Sequence, residues 1–165
     1  GSMSLPLASL DEIGLRRRLS EDALPSVDAV LSGDGLSALC AALAEAAGKP
    51  VGDVSPPRIV RAGTSGEDVV AVEALIHFAR WLGRFAGDVA LLHGATGGVY
   101  LGGVIAPNIA SVLAGPDFRD AFEGTGTRRQ LLSGIPVDVI KTAADAGLRG
   151  VALAVAHALS EDAGA

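Results

Sequence analysis

Five glycines and a histidine interrupt the most apolar stretch of the sequence, residues 89–106. A run of this length is about what a membrane-spanning helix requires, since about 20 apolar residues cross the hydrocarbon core. Repeated glycines weaken such a helix and favour turns and close backbone approaches instead. We therefore predict two buried strands, residues 89–92 and 99–101, joined by a glycine loop, and we expect no membrane partner.

Composition and charge narrow the class of protein. The chain has 165 residues, 49% of them hydrophobic and only 4% aromatic, which predicts one domain with an aliphatic core. A net charge of −6 does not suit a protein that binds phosphate backbones, so nucleic acid is not expected as a partner. No signal-peptide pattern is found, and the predicted location is cytoplasmic. The single cysteine, Cys40, lies in a helical apolar pattern and is predicted to be buried.

Periodicity and capping residues predict an α/β arrangement with few strands. The predicted elements are a helix from Ser9 to about Leu19, a helix through Leu36 and Leu43 that stops at Gly48, an exposed connection over residues 49–57, a long helix from Thr64 or Ser65 to Gly87, the two strands above, a helix over residues 107–113, a polar stretch to Gly126, a strand over residues 136–141 and a helix over residues 147–159. Three strands make a small sheet, which indicates either a further strand near residues 27–31 or a domain whose natural partner is missing. We assign residues 1–8 to a tag and disordered start, 9–160 to the domain and 161–165 to a flexible tail.

The glycine-rich segment is also the candidate binding site. Residues 94–98 form one glycine turn, and Gly102-Gly103 form another just before a helix that begins at Pro107. Bare backbone at such points lets N–H groups approach a ligand, and a helix N-terminus favours an anion. The same pattern also fits tight hairpins and close helix–sheet packing, and no Gly-Lys-Ser/Thr phosphate loop occurs. On spacing alone, both interpretations stay open.

Further short motifs are spread along the chain. They include Leu31-Ser32-Gly33, Ala74-Leu75, Gly83-Arg84-Phe85, Gly97-Gly98-Val99, Gly102-Gly103, Phe118-Arg119 and Ile135-Pro136-Val137. Together they resemble the bacterial glucokinase family, in continuous order over roughly residues 10–160. The chain looks like the C-terminal, large-domain portion of such an enzyme.

This resemblance implies an actin-like, ribonuclease-H-like α/β fold, a mixed sheet flanked by helices, with ATP and glucose bound between two domains. The turn before the Pro107 helix would be the adenosine motif. The implied nucleotide contacts are Gly94, Thr96, Gly97, Gly98, Gly102, Gly103 and, as a geometric addition, Asn108. Asp28 matches a sugar-contacting Glu of the family but is one methylene shorter, so a hydroxyl contact would need a bridging water or a shifted backbone. A role for Asp28 as a helix cap or exposed carboxylate stays equally open.

The resemblance assigns no catalytic residue to this chain. The family's first phosphate loop, its catalytic Asp and its Glu-Gly-Gly-His sugar motif have no match here, so Mg²⁺ would be bound mainly by the missing half. The three histidines share no metal-ligand spacing, and no metal site is predicted. We predict a part of an ATP-dependent glucokinase, which transfers a phosphoryl group to glucose O6, that is inactive alone. The alternative is a non-catalytic nucleotide-binding or dimerisation module derived from a sugar kinase.

Two expectations concern surfaces. The apolar faces of the long helix and of the terminal helix predict a homodimer that associates through helices. Arg128 and Arg129 could contact phosphate, but a solvated basic pair beside Glu123 is the favoured interpretation.

Overall fold

A computed structural model of the chain describes residues 26–141 and 143–162. The predicted tag and the helix from Ser9 to Leu19 lie outside these residues, as do residues 163–165 of the predicted tail. The described elements are α1 (Val27–Val30), α2 (Gly33–Ala46), α3 (Pro56–Ser65), α4 (Val69–His93), β1 (Val99–Leu101), a 3₁₀ helix (Ala106–Ile109), α5 (Ala110–Leu113), α6 (Pro116–Glu123), α7 (Gly126–Leu132), β2 (Val137–Val139) and α8 (Ala143–Asp162). Within the described ranges, no helix has the length and apolar character needed to span a membrane.

The long helix α4 is the centre of the core. It packs against α2, α3 and α6, and Leu75, Phe78 and Trp81 are fully buried there. These neighbours cover the middle of its apolar stripe, whereas Val69 and Leu92 near its two ends are exposed. A homodimer that associates through α4 or α8 stays a prediction.

The start of α4 differs from the prediction. Thr64 and Ser65 do not cap this helix but lie in the last turn of α3, where the Thr64 hydroxyl donates to the carbonyl of Val60 at 2.6 Å. Asp68 is the N-cap, and its carboxylate accepts the backbone N–H of Val70 at 3.0 Å. Aspartate is as good an N-cap as serine or threonine, so the residue types alone could not identify which of these residues begins α4.

The end of α4 overturns the prediction of a strand over residues 89–92. The helix passes through Gly87 and ends at His93, where Gly94 adopts a left-handed conformation with φ +58°. Gly87 does not end the helix because its role is packing: a Cβ there would lie 2.4 Å from the carbonyl oxygen of Phe122. The short apolar run after it is the last turns of α4.

Several other predictions can be compared directly. Residues 27–31 form α1 and its C-terminal cap rather than a strand, whereas the helix through Leu36, its stop near Gly48 (φ +64°) and the burial of Cys40 are confirmed. The exposed connection ends two residues early, at residue 55, since Pro56 already begins α3. The predicted helix over residues 107–113 is a 3₁₀ turn followed by α5, and the polar stretch before Gly126 contains α6. The final helix is longer than predicted and includes residues 161 and 162.

The two strands form a parallel pair. Val99 lies opposite Val137, and Leu101 lies opposite Val139, so both remaining predicted strands are confirmed. The described part of the chain thus has an α/β architecture with a two-stranded sheet.

Arginine side chains form hydrogen bonds and ion pairs between α6, α7 and the segment that leads into β2. Arg119 donates to the carbonyls of Ser133 at 2.7 Å and Ile135 at 2.9 Å, and pairs with the buried Glu123 at 2.6 Å. Arg128 is half-buried rather than solvated, which corrects the expectation of a solvated pair, while Arg129 is exposed and bonds to Glu123 at 3.1 Å. These contacts fix the approach of β2 to the core.

Candidate functional site

The Gly102–Gly103 turn follows directly on β1. It lies at the carboxyl end of the parallel pair, where the Ile140 N–H donates to the Leu101 carbonyl at 2.9 Å. Gly103 has φ +102°, a conformation that side chains rarely adopt, and a Cβ added there would have no heavy atom within 4 Å. In α/β sheets, ligands bind beyond the carboxyl ends of parallel strands. The turn therefore presents bare backbone at the end of the sheet where a ligand is expected.

Hydrogen bonds hold the residues that follow this turn. The Asn108 side-chain amide donates to the carbonyl of Val104 at 2.7 Å, and its backbone N–H donates to the carbonyl of Ile105 at 2.9 Å. Asn108 thus closes the 3₁₀ turn onto the segment after Gly103. The glycine turn and the short helix form one connected unit.

A cleft of about 340 Å³ opens beside this unit. Its walls come from the first turns of α3 and from the segment after Gly103, with the lining residues Pro56, Pro57, Val60, Arg61, Val104, Ile105 and Asn108. Most of these side chains are apolar, and Arg61 supplies the one positive charge among them. An apolar slot of this size with a few polar groups suits part of a small ligand, such as a planar base.

The α3 side of the cleft was not found from the sequence. Its prolines indicated a connection, and they occupy the tolerant first turn of a helix instead. Nothing in the local pattern of Val60 or Arg61 indicates that they face a turn more than forty residues later in the chain. Only the packing of α3 against the 3₁₀ helix brings them there.

The other predicted glycine segment lies elsewhere. Gly94 ends α4, and Gly98, with φ +134°, precedes β1 and approaches the ring of Pro136, whose Cγ would lie 3.3 Å from an added Cβ. Residues 94–98 therefore lie at the amino end of β1, separated from Gly102 by the strand, or about 13 Å at roughly 3.3 Å per residue. The structure does not bring Gly94, Thr96, Gly97 and Gly98 together with Gly102 and Gly103, and contact of both segments with one nucleotide stays a prediction.

Asp28 lies on the exposed side of α1, in its first turn. The N-cap of that helix is Ser26, which accepts the Ala29 N–H at 3.1 Å, so Asp28 is not the cap that one interpretation allowed. The turn after α1 approaches the cleft, since a Cβ on Gly33 would lie 3.4 Å from Cγ of Pro56. Asp28 is thus an exposed carboxylate in the first turn of α1.

A second cavity, of about 370 Å³, lies between α4, α6 and α7. Its lining does not suit a planar base as the cleft beside α3 does. It is lined by Asp88 and Arg128, which hydrogen-bond to one another, and by Arg84 and Asp120. Because the Arg128 guanidinium is already engaged by Asp88 and backbone carbonyls, this cavity borders a structural ion pair. Within residues 26–141 and 143–162, no cluster of three His, Cys, Asp or Glu side chains could hold a metal ion.

Comparison with known proteins adds the family context. A family model described as "Glucokinase" matches residues 1–158. The glucokinase of Hahella chejuensis is 38% identical over 145 residues, which is 87% of this chain and 45% of that protein. The glucokinase of Chromobacterium violaceum is 38% identical over 161 residues, which is 97% of this chain and 46% of that protein.

A solved structure agrees with the sequence comparison. The crystal structure of a glucokinase from an Antarctic psychrotroph is 32% identical and superposes with a TM-score of 0.74, over 85% of this chain and 44% of that one. The chain thus spans about half the length of the curated relatives that it matches.

Proposed function

The chain belongs to the glucokinase family, and we propose that it forms the half of such an enzyme that holds the adenosine end of ATP. In the complete enzyme, the γ-phosphoryl group of ATP would pass to O6 of glucose, with a base supplied by the other half. We further propose the actin-like, ribonuclease-H-like arrangement for the assembled fold.

The proposal is supported mainly by the position of the Gly102–Gly103 turn, which directly precedes Val104 and Ile105 in the wall of the cleft formed with α3. The bare turn gives the ribose and phosphates close access to backbone N–H groups. Pro56, Val60 and Ile105 offer apolar contact to the faces of the base. Proposed contacts are therefore Gly102, Gly103 and Asn108, together with this α3 wall.

The described residues suit the nucleotide better than its metal. Transfer of a phosphoryl group requires Mg²⁺ to neutralise the charge on the phosphate oxygens. The described residues provide no cluster of ligands for such an ion. We propose, as the resemblance implies, that the other half binds most of the metal and that this chain binds and orients the nucleotide.

Asp28 is the proposed sugar contact on this side. Its carboxylate is exposed, and it lies five residues before Gly33, where an added Cβ would be 3.4 Å from Cγ of Pro56 in the cleft wall. As an acceptor, it would hold a glucose hydroxyl, directly or through a water. This role orients the sugar and includes no proton transfer.

Titration calorimetry of the chain with ATP tests the nucleotide site. Gly103→Val adds a side chain where φ is +102° and the backbone must stay bare, and should weaken ATP binding by about tenfold or more, or about 1.4 kcal/mol. Gly66→Val is the matched control, because Gly66 also has positive φ (+78°) and open space but lies at the far end of α3. ATP binding that Gly103→Val leaves at the wild-type affinity would contradict the assignment.

A further inference from the structure

The side chain of Asn108 has one end engaged and one end available. Its amide nitrogen donates to the carbonyl of Val104 at 2.7 Å. Because a backbone carbonyl can only accept a hydrogen bond, this contact fixes which end of the amide faces Val104. The other end, the oxygen Oδ1, receives no hydrogen bond from the described residues. Asn108 therefore offers an acceptor to a ligand.

Asn108 also lies close to the apolar wall on its own side of the cleft. Its backbone N–H donates to the carbonyl of Ile105 at 2.9 Å. Side chains three residues apart in a 3₁₀ turn lie one above the other, and both residues line the same cleft. A planar base whose face contacts Ile105 would therefore place an edge within reach of Asn108.

The other side chains of the cleft leave this acceptor without a rival. Arg61, on the opposite wall, can only donate hydrogen bonds. The remaining lining side chains are apolar: Pro56, Pro57, Val60, Val104 and Ile105. In such a slot, an acceptor favours a ligand group that donates and disfavours a second acceptor, which would lose its water without gaining a partner.

We propose that Oδ1 of Asn108 selects the base of the nucleotide. It accepts a hydrogen bond from the exocyclic amino group of adenine and disfavours guanine and hypoxanthine, which have an oxo group at that position. The charge of Arg61 suits phosphate oxygens and the ring nitrogen N7, which these purine nucleotides share, so Arg61 does not discriminate between them. This inference rests on the proposed function, in which the cleft holds the adenosine end of ATP.

Titration calorimetry of the chain with ATP and with inosine triphosphate (ITP) tests the proposal. ITP has the same ribose and phosphates as ATP, but an oxo group in place of the amino group and a proton on the neighbouring ring nitrogen. The wild type should bind ATP about tenfold more tightly than ITP. Asn108→Leu, which has a similar size but no acceptor, should bring this ratio close to one.

Val60→Ala is the matched control. It trims an apolar wall of the same cleft and should weaken the binding of both nucleotides by the same factor, so the ratio stays at the wild-type value. Each ratio compares two ligands in one variant. A change in cleft shape that weakens both ligands equally therefore leaves the ratio unaffected.

A wild-type preference for ATP that Asn108→Leu removes and Val60→Ala keeps supports the proposal. Equal affinities for ATP and ITP, tighter binding of ITP, or a preference that Asn108→Leu keeps would overturn it while leaving the nucleotide site of the proposed function in place. If 2′-deoxy-ATP rather than ITP binds weakly, and Asn108→Leu removes that difference, the oxygen binds the ribose and the proposal is wrong. Binding of neither ATP nor ITP at millimolar concentration would overturn the proposed function, and this inference with it.

Discussion

The guanidinium of Arg128 hydrogen-bonds to the carboxylate of Asp88, although forty positions separate them in the chain. The same group donates to the carbonyl of Arg84 at 3.1 Å and to that of Phe122 at 3.2 Å. One side chain on α7 thus joins the last turns of α4 to the end of α6. Since α4 leads into β1, this contact helps to set where the strand and its glycine turn lie.

Arg128→Met should lower the free energy of unfolding by about 1–3 kcal/mol, because it leaves two backbone carbonyls and a carboxylate without their donor. Arg80→Met is the comparison, since the more exposed pair of Arg80 and Asp117 should contribute only about 0–1 kcal/mol. Urea unfolding of both variants measures the difference. Equal losses would show that Arg128 is no more than a surface charge.

Gly83 and Gly87 set the distance between α4 and α6. A Cβ at Gly83 would lie 2.5 Å from the carbonyl oxygen of Phe118, so Gly83→Ala should destabilise the fold by about 1–3 kcal/mol through overpacking. Gly97→Ala, with open space around it, should change the stability by well under that amount. Calorimetric unfolding of the pair tests the close approach, and a neutral Gly83→Ala would refute it.

The sequence predicted much of the fold where local signals agree with packing. Strands β1 and β2, the helix through Leu36 and the stop at Gly48 were found from β-branched residues, helical spacing and glycine. The prediction of a strand over residues 89–92 was wrong because a short apolar run suits a strand and the end of a helix equally well. Gly87 was predicted to end the long helix because glycine often ends helices. It is a glycine because the backbone of Phe122 packs closely against it, which no local pattern reveals.

Some residues of the candidate site could be predicted from local sequence signals, and others could not. The Gly102–Gly103 turn was predicted because bare backbone before a helix is a local feature. Val60 and Arg61 were missed because only tertiary packing brings α3 to that turn. Arg128 was expected in solvent for the same reason, since its partners lie on helices distant in sequence.

Stability at low pH should depend on the cap of α4. Partial burial raises the pKa of Asp68, but hydrogen bonds from Arg58, Val70 and Ala71 outweigh this effect and hold the pKa below its usual 3.8. A depressed carboxyl pKa stabilises the fold above the unfolded pKa, and this contribution is lost as the pH falls through the folded value. Asp68→Asn keeps a good cap, so its deficit relative to the wild type should be up to about 1 kcal/mol near neutral pH and shrink as the pH falls below the usual pKa of 3.8.

Urea unfolding at both pH values measures this deficit, and the Arg58→Met background is its control. Without the Arg58 guanidinium, which lies 3.2 Å from the Asp68 carboxylate, the pH-dependent part should be smaller. A deficit of the same size at both pH values would contradict the ion-pair explanation.

The chain alone should not phosphorylate glucose. A working kinase turns over at about 1–10³ s⁻¹, and we propose that the family's catalytic motifs lie in the other half of the enzyme. A coupled assay for glucose 6-phosphate measures this. Turnover in that range would contradict the assignment of the base to the other half. Activity that appears when the complementary segment is added would favour a half-enzyme over a non-catalytic module.

Amide NMR spectra of the chain with and without ATP test most directly whether the Gly102–Gly103 turn and the α3 wall bind the nucleotide. We predict that millimolar ATP shifts the resonances of Gly102, Gly103, Ile105 and Asn108, with those of Val60 and Arg61, while those around Gly126 stay in place. Gly103→Val should remove these shifts without changing the rest of the spectrum. Shifts confined to residues outside this cleft, or no shifts at all at millimolar ATP, would contradict the account.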